Sequence, residues 1–138
     1  MAGSVTKTST RYAGGVTRHR LAWTSDASGN VSANSVTLPP GMLVQVAFIP
    51  GAGGVQPTDL YDVTMTCDDH SSVNVLDGGS GTSVGADLSQ TNSTHKTPMA
   101  ASGVRQWLHG GGYTLVVANA GNAKSGTVDL YLASSFSV

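Results

Sequence analysis

A strict two-residue alternation near the C-terminal end most constrains what this chain can fold into. Val128, Leu130 and Leu132 alternate with Thr127, Asp129 and Tyr131, while Tyr113, Leu115 and Val117 alternate with Thr114, Val116 and Ala118. Side chains on an extended backbone point to opposite faces in turn, so each run offers an apolar face to a core. The intervening residues 119–126 tolerate tight backbone geometry, and the whole stretch reads as a β-hairpin. A lone hairpin is at best marginal in water, so further strands must cover its apolar face.

The same pattern recurs upstream. Over 60–67, Tyr61, Val63, Met65 and Cys67 face inward, with Asp62, Thr64 and Thr66 outward. Over 16–23, Leu21 and Trp23 share a face with Thr17 and His19, and Arg18 and Arg20 project the other way. Val36 and Leu38 point inward from 31–38, a strand stopped by Pro39, Pro40 and Gly41. The most apolar stretch, 42–49, places Val44, Val46 and Phe48 on its inner face. Short strands over 73–76 and 104–109 bring the count to eight. Composition agrees: Ser, Thr and Gly are abundant, Glu is absent and only 11% of residues are charged, which disfavours helices.

An all-β, eight-stranded antiparallel jelly-roll-like β-sandwich is therefore expected over 16–138, as a single domain in a chain of 138 residues. Residues 1–15 read as an extended arm, ordered only when something binds it. The stretch 77–103 reads as a long loop rich in Gly, Ser and Thr.

Most chemistry is excluded on spacing. Gly81-Thr82-Ser83-Val84-Gly85 matches a nucleophile elbow in letters, but no helix follows to present the serine. Cys67, Asp68, Asp69 and His70 are consecutive rather than spaced as metal ligands, and they read as a polar turn. Asp77-Gly78-Gly79-Ser80-Gly81 lacks the repeated carboxylates of a calcium loop. The four histidines (His19, His70, His95 and His109) are scattered. No enzymatic activity, metal or cofactor is expected. With one cysteine no intrachain disulfide is possible, and Cys67 reads as a small buried residue. The start of the chain lacks a secretory apolar segment and no run is long enough to span a bilayer, so folding in a reducing cytoplasm is expected.

The net charge of −1 gives no case for nucleic acid, yet four of the seven basic residues (Lys7, Arg11, Arg18 and Arg20) precede the first acid, Asp26. Such a cluster suits docking on an acidic protein surface. Trp107, with Arg105 and His109 on its side of the strand, reads as an interface anchor. The candidate docking set is Arg11, Tyr12, Arg18, Arg20, Arg105 and Trp107. A sugar-stacking platform using Trp107, Tyr113, Tyr131 and Tyr12, as in a carbohydrate-binding module, is the alternative.

The segments 57–65 (PTDLYDVTM), 116–122 (VVANAGN) and 125–131 (SGTVDLY) resemble small structural proteins from tailed-phage virion gene clusters. More narrowly, most of 16–133 is similar to the capsid cement proteins of short-tailed Bordetella phages. The resemblance implies a jelly-roll subunit paired as a homodimer on the outer surface of an HK97-like head, made in the host bacterial cytoplasm. It also implies the major capsid protein as partner, with dimers bridging capsomers and no role for nucleic acid or membrane. Phe136 and Val138 are the candidate dimer contacts.

Overall fold

The computed structural model describes residues 3–69, 73–77, 83–98 and 107–133. Ten strands are present among them: β1 (Ser4–Arg11), β2 (Val16–Thr24), β3 (Val31–Leu38), β4 (Gly41–Pro50), β5 (Tyr61–Cys67), β6 (Gly85–Leu88), β7 (Thr94–Lys96), β8 (Trp107–Leu108), β9 (Gly111–Ala118) and β10 (Ser125–Ala133). They form two antiparallel sheets. The six-stranded sheet runs β1-β2-β10-β4-β7, with β8 also paired to β4, and the four-stranded sheet runs β3-β9-β5-β6.

The pairings β2–β10, β3–β9, β4–β7 and β5–β6 are nested, like one long hairpin with its tip between β5 and β6. The hairpin is rolled up so that β10 also meets β4 and β9 also meets β5. This is the connectivity of a jelly roll, with β2 to β7, β9 and β10 as its eight strands and β1 and β8 added at the edges.

The two C-terminal runs are strands, but they do not form the expected hairpin with one another. β9 lies in the four-stranded sheet and β10 in the six-stranded one. The link between them crosses from one layer to the other through left-handed conformations at Asn119, Gly121 and Ala123. Backbone bonds from Ala120 to Gly29 and from Thr58 to Ala120 hold it in place, at 2.9 and 2.8 Å. Crossing lets the apolar faces of β9 and β10 meet across the core instead of lying side by side.

Other expectations are corrected in the same way. Ser4–Arg11 is not a loose arm but an edge strand in continuous register with β2, from Ser4 opposite Thr24 to Arg11 opposite Thr17. The stretch 77–103 contains β6 and β7, the strands that finish the two sheets. The expected strand over 73–76 is a turn with one isolated bridge, Thr66 to Asn74. Val44 is only half-buried, whereas Leu43 is fully buried. The β4–β10 register slips between Tyr131 and Leu132, so the strand changes face at Val44–Gln45.

Between the sheets lie Leu21, Trp23, Val46, Phe48, Val128, Leu130 and Leu132 from one layer, and Val36, Leu38, Tyr61, Val63, Met65, Leu115 and Val117 from the other. Each contributes roughly 1.5–3 kcal/mol when fully buried. The Trp23 and Tyr61 rings touch across the layers, with centroids 5.7 Å apart. Trp23 gains its space from Gly126 on the neighbouring strand: a Cβ there would sit 2.5 Å from the indole.

Candidate functional site

Residues of the six-stranded sheet that alternate with the core form its outer face. Strand register lays them out in rows. One row reads Trp107, Met42, Ala133, Val16, and the next reads Gln45, Tyr131, Arg18, Thr10. Below them run Ala47, Asp129, Arg20, Thr8, with His95 of β7 beside Ala47. With adjacent strands about 4.8 Å apart, Trp107 and Arg18 lie roughly 14 Å apart across the strands.

The sequence candidates distribute unevenly over this surface. Arg18, Arg20 and Trp107 share the outer face. Trp107 is 49% exposed, and its neighbour Leu108 is buried in the core. Tyr12, 42% exposed, sits in the β1–β2 turn, where its amide donates to Val16 O at 2.8 Å. Arg11 falls on the other side of β1, the side from which Lys7 Nζ donates to the Thr37 carbonyl of β3. Arg105, Phe136 and Val138 lie outside the described residues.

Of the basic cluster in the sequence, Arg20 is the member paired with a carboxylate among the described residues. Arg20 donates from Nε and Nη2 to the two oxygens of Asp129, each at 2.8 Å, and Asp129 is buried. That side-chain bond raises the guanidinium pKa further. Arg18 donates only weakly, to Thr10 Oγ1 at 3.4 Å, and its Nε is buried with no hydrogen-bond partner. Among the described residues, Arg18 is therefore the arginine of this face that lacks a carboxylate, and the face is amphipathic rather than strongly electropositive. Sequence reasoning misses Met42, Gln45 and His95 as members of this surface, and offers Tyr131 only as a sugar-stacking candidate, although its alternation with Leu130 and Leu132 already turns it away from the core.

A sugar platform loses one of its proposed members, because Tyr113 is 1% exposed in the core. Two open cavities carry no catalytic arrangement. One, of about 230 Å³, is lined by Ser4, Thr24, Ser25, Asp26, Ala27, Asn122 and Ala123. Its single titratable group, Asp26, is occupied in accepting from the amides of Ser28 and Asn30, at 2.8 and 2.9 Å. The other lies among Pro50, Gly51, Ala52, Gly53, Gln56, Gln90 and Thr91, which include no acid or base. Among the described residues no helix is long and apolar enough to cross a membrane. No protein-family model, curated protein or solved structure matches the chain.

Proposed function

We propose that this chain is a non-enzymatic capsid cement protein. It binds the outer surface of an HK97-like phage head as a homodimer and holds neighbouring capsomers together. The observation that carries the reading is the broad outer face of the six-stranded sheet, which has Trp107 at one edge and Arg18 near the other. Such a face suits docking on a second protein surface: an aromatic anchor and an arginine are the residue types that dominate interface energetics. The jelly-roll connectivity and the resemblance of 57–65, 116–122 and 125–131 to tailed-phage structural proteins favour the same reading.

The activity would be mechanical. A ligand that binds the assembled shell but not its separated parts stabilises the shell by mass action. A symmetric dimer presents its docking patch twice, so it can engage two capsomers, and avidity then makes a modest single-site affinity sufficient. The partners are the major capsid protein and a second copy of the chain.

A protein gel of purified DNA-filled particles, paired with pelleting of heads stripped of this protein, tests the proposal. Hundreds of copies per particle, removable and able to rebind as dimers, are expected. A few copies, or none on the head, would remove the cement reading. The exposure of Trp107 also suits a carbohydrate-binding module of a host-recognition apparatus. In that case a glycan array would show binding that Trp107→Ala abolishes, and stripped heads would not take the protein up.

A further inference from the structure

At the end of the four-stranded sheet, where β5 ends and the β8–β9 turn begins, two distant parts of the chain bring metal-ligating groups together. Cys67 Sγ, an oxygen of Asp69 and a ring nitrogen of His109 all lie within 4.8 Å of one another. Cys67 Sγ and His109 Nε2 are 3.1 Å apart.

The fold holds each of the three from outside the cluster. β5 ends at Cys67, and the two-residue alternation carries one step further, so Asp69 returns to the cysteine's side while Asp68 turns away. Asp68 is fixed there, accepting hydrogen bonds from the hydroxyls of Ser35 and Thr114 and donating its amide to Gly112 O at 3.0 Å. The β5–β9 register sets Cys67 opposite Tyr113, which lays the β8–β9 turn against the end of β5. That turn reverses through Gly110 and Gly111, at φ +89° and +108°, and the Gly110 amide donates to Tyr113 Oη at 3.3 Å. His109 is thereby delivered to the thiol from 42 residues away.

We propose that Cys67, Asp69 and His109 form a binding site for a zinc-class divalent cation, with water in the fourth position. The donor set selects the metal class: a thiolate and an imidazole exclude the hard cations Ca²⁺ and Mg²⁺, and with one carboxylate they suit Zn²⁺ or Co²⁺. Tetrahedral zinc with bonds of about 2.3 Å to sulfur and 2.0–2.1 Å to nitrogen needs those two atoms roughly 3.5 Å apart. The observed separation requires a shift of only a few tenths of an ångström. On binding, Cys67 forms its bond to the metal as a thiolate and the thiol proton leaves to solvent. His109 ligates through Nε2 and keeps its hydrogen on Nδ1, and Asp69 ligates as the carboxylate. The two anionic ligands balance the charge of the cation. Cys67 is buried, whereas Asp69 and His109 are exposed, so the site is open to solvent on their side.

The test is titration of the untagged, reduced full chain with Co²⁺, then displacement by Zn²⁺. One equivalent of Co²⁺ is expected to bind with a thiolate-to-cobalt charge-transfer band in the near ultraviolet, and Zn²⁺ should abolish the band. Cys67→Ser should remove the band. His109→Gln alters an exposed side chain, so it should keep the circular dichroism spectrum of the fold. It should weaken binding by more than the roughly 10–100-fold that loss of an outer-shell partner costs. Asp69→Asn should keep the band and weaken binding. Absence of the band in the native protein would overturn the site, as would metal uptake of unchanged affinity in both Cys67→Ser and His109→Gln. The pair would then be a sulfur–imidazole hydrogen bond and nothing more.

Discussion

The Arg20 guanidinium grips both oxygens of the Asp129 carboxylate in a parallel fork, and the two partners differ sharply in exposure, 39% against 2%. The carboxylate is the partner that depends on the arrangement. Placed on β10 between β2 and β4, it is covered by its neighbours and would stand as an unpaired buried charge without the arginine. Arg20→Ala should therefore cost about 3 kcal/mol of stability, at the low end for breaking a buried pair because the guanidinium is partly solvated. Arg20→Ala combined with Asp129→Asn should recover most of that loss. Urea unfolding of the parent and the two variants measures both values. Equal losses in the single and double variants would show that the carboxylate does not need its partner.

Capsid docking should respond to other residues of the same face. Arg18→Ala and Trp107→Ala are each expected to leave the unfolding free energy within about 0.5 kcal/mol of the parent, as surface changes do. On the cement reading each should weaken uptake by stripped heads, Trp107→Ala by about 2 kcal/mol per contact as an aromatic anchor. Raising the salt concentration should diminish the Arg18 contribution and leave that of Trp107 largely intact. If neither variant changes pelleting at physiological salt, the head contact lies elsewhere on the protein.

Gly126 has one demanding neighbour. A methyl group there would meet the Trp23 ring at 2.5 Å and the Ile49 carbonyl at 3.0 Å. Since Trp23 is locked between the sheets against Tyr61, Gly126→Ala should destabilise by about 1–3 kcal/mol through overpacking. Denaturant unfolding gives the magnitude, and a changed near-ultraviolet dichroism would report the displaced indole. Unaltered stability would mean that the core at this point yields more readily than its packing implies.

His19 gives the fold an acid sensitivity. Burial, and secondarily the charge of Lys7, hold its pKa below the usual 6.5. Its Nδ1 is 2.8 Å from Ser9 Oγ, while Nε2 is buried with no hydrogen-bond partner. Below about pH 6.5 the unfolded chain takes up a proton that the folded one still refuses, so stability should fall as the pH drops from 7 towards 5. His19→Gln should flatten that part of the stability profile. An unchanged slope in the variant would transfer the effect to other groups.

How much of this was legible in the sequence varies with each element's physics. β5 alternates buried and half-buried from Tyr61 to Cys67 as its letters suggest, because its register with β9 is unbroken over Asp62 to Cys67. β4 misled at Val44, where a register slip invisible in composition reverses the facing of the strand. β1 was hidden because an edge strand with seven exposed positions of eight needs no apolar alternation: it is held by backbone bonds to β2. The docking candidates Arg18 and Trp107 could be read one strand at a time, but their shared face exists only through β4 and β10 between them. Arg20 looked like a binding cation because its partner is 109 residues away. His109 looked isolated for the same reason, since only the β5–β9 register brings it to Cys67.

The nested strand order has a consequence for how the protein comes into being. β10, the last of the described strands, is the one that sits between β2 and β4 in the middle of the six-stranded sheet. Its two neighbours can do no more than wait during synthesis, with the apolar sides of Leu21, Trp23, Val46 and Phe48 uncovered by their proper companions. Closure of that layer belongs to the interval after residues 125–133 have left the ribosome, when contacts of large sequence separation must form at once. Until then the unpaired edges of β2 and β4 are what a growing chain would offer to chaperones or to other growing chains.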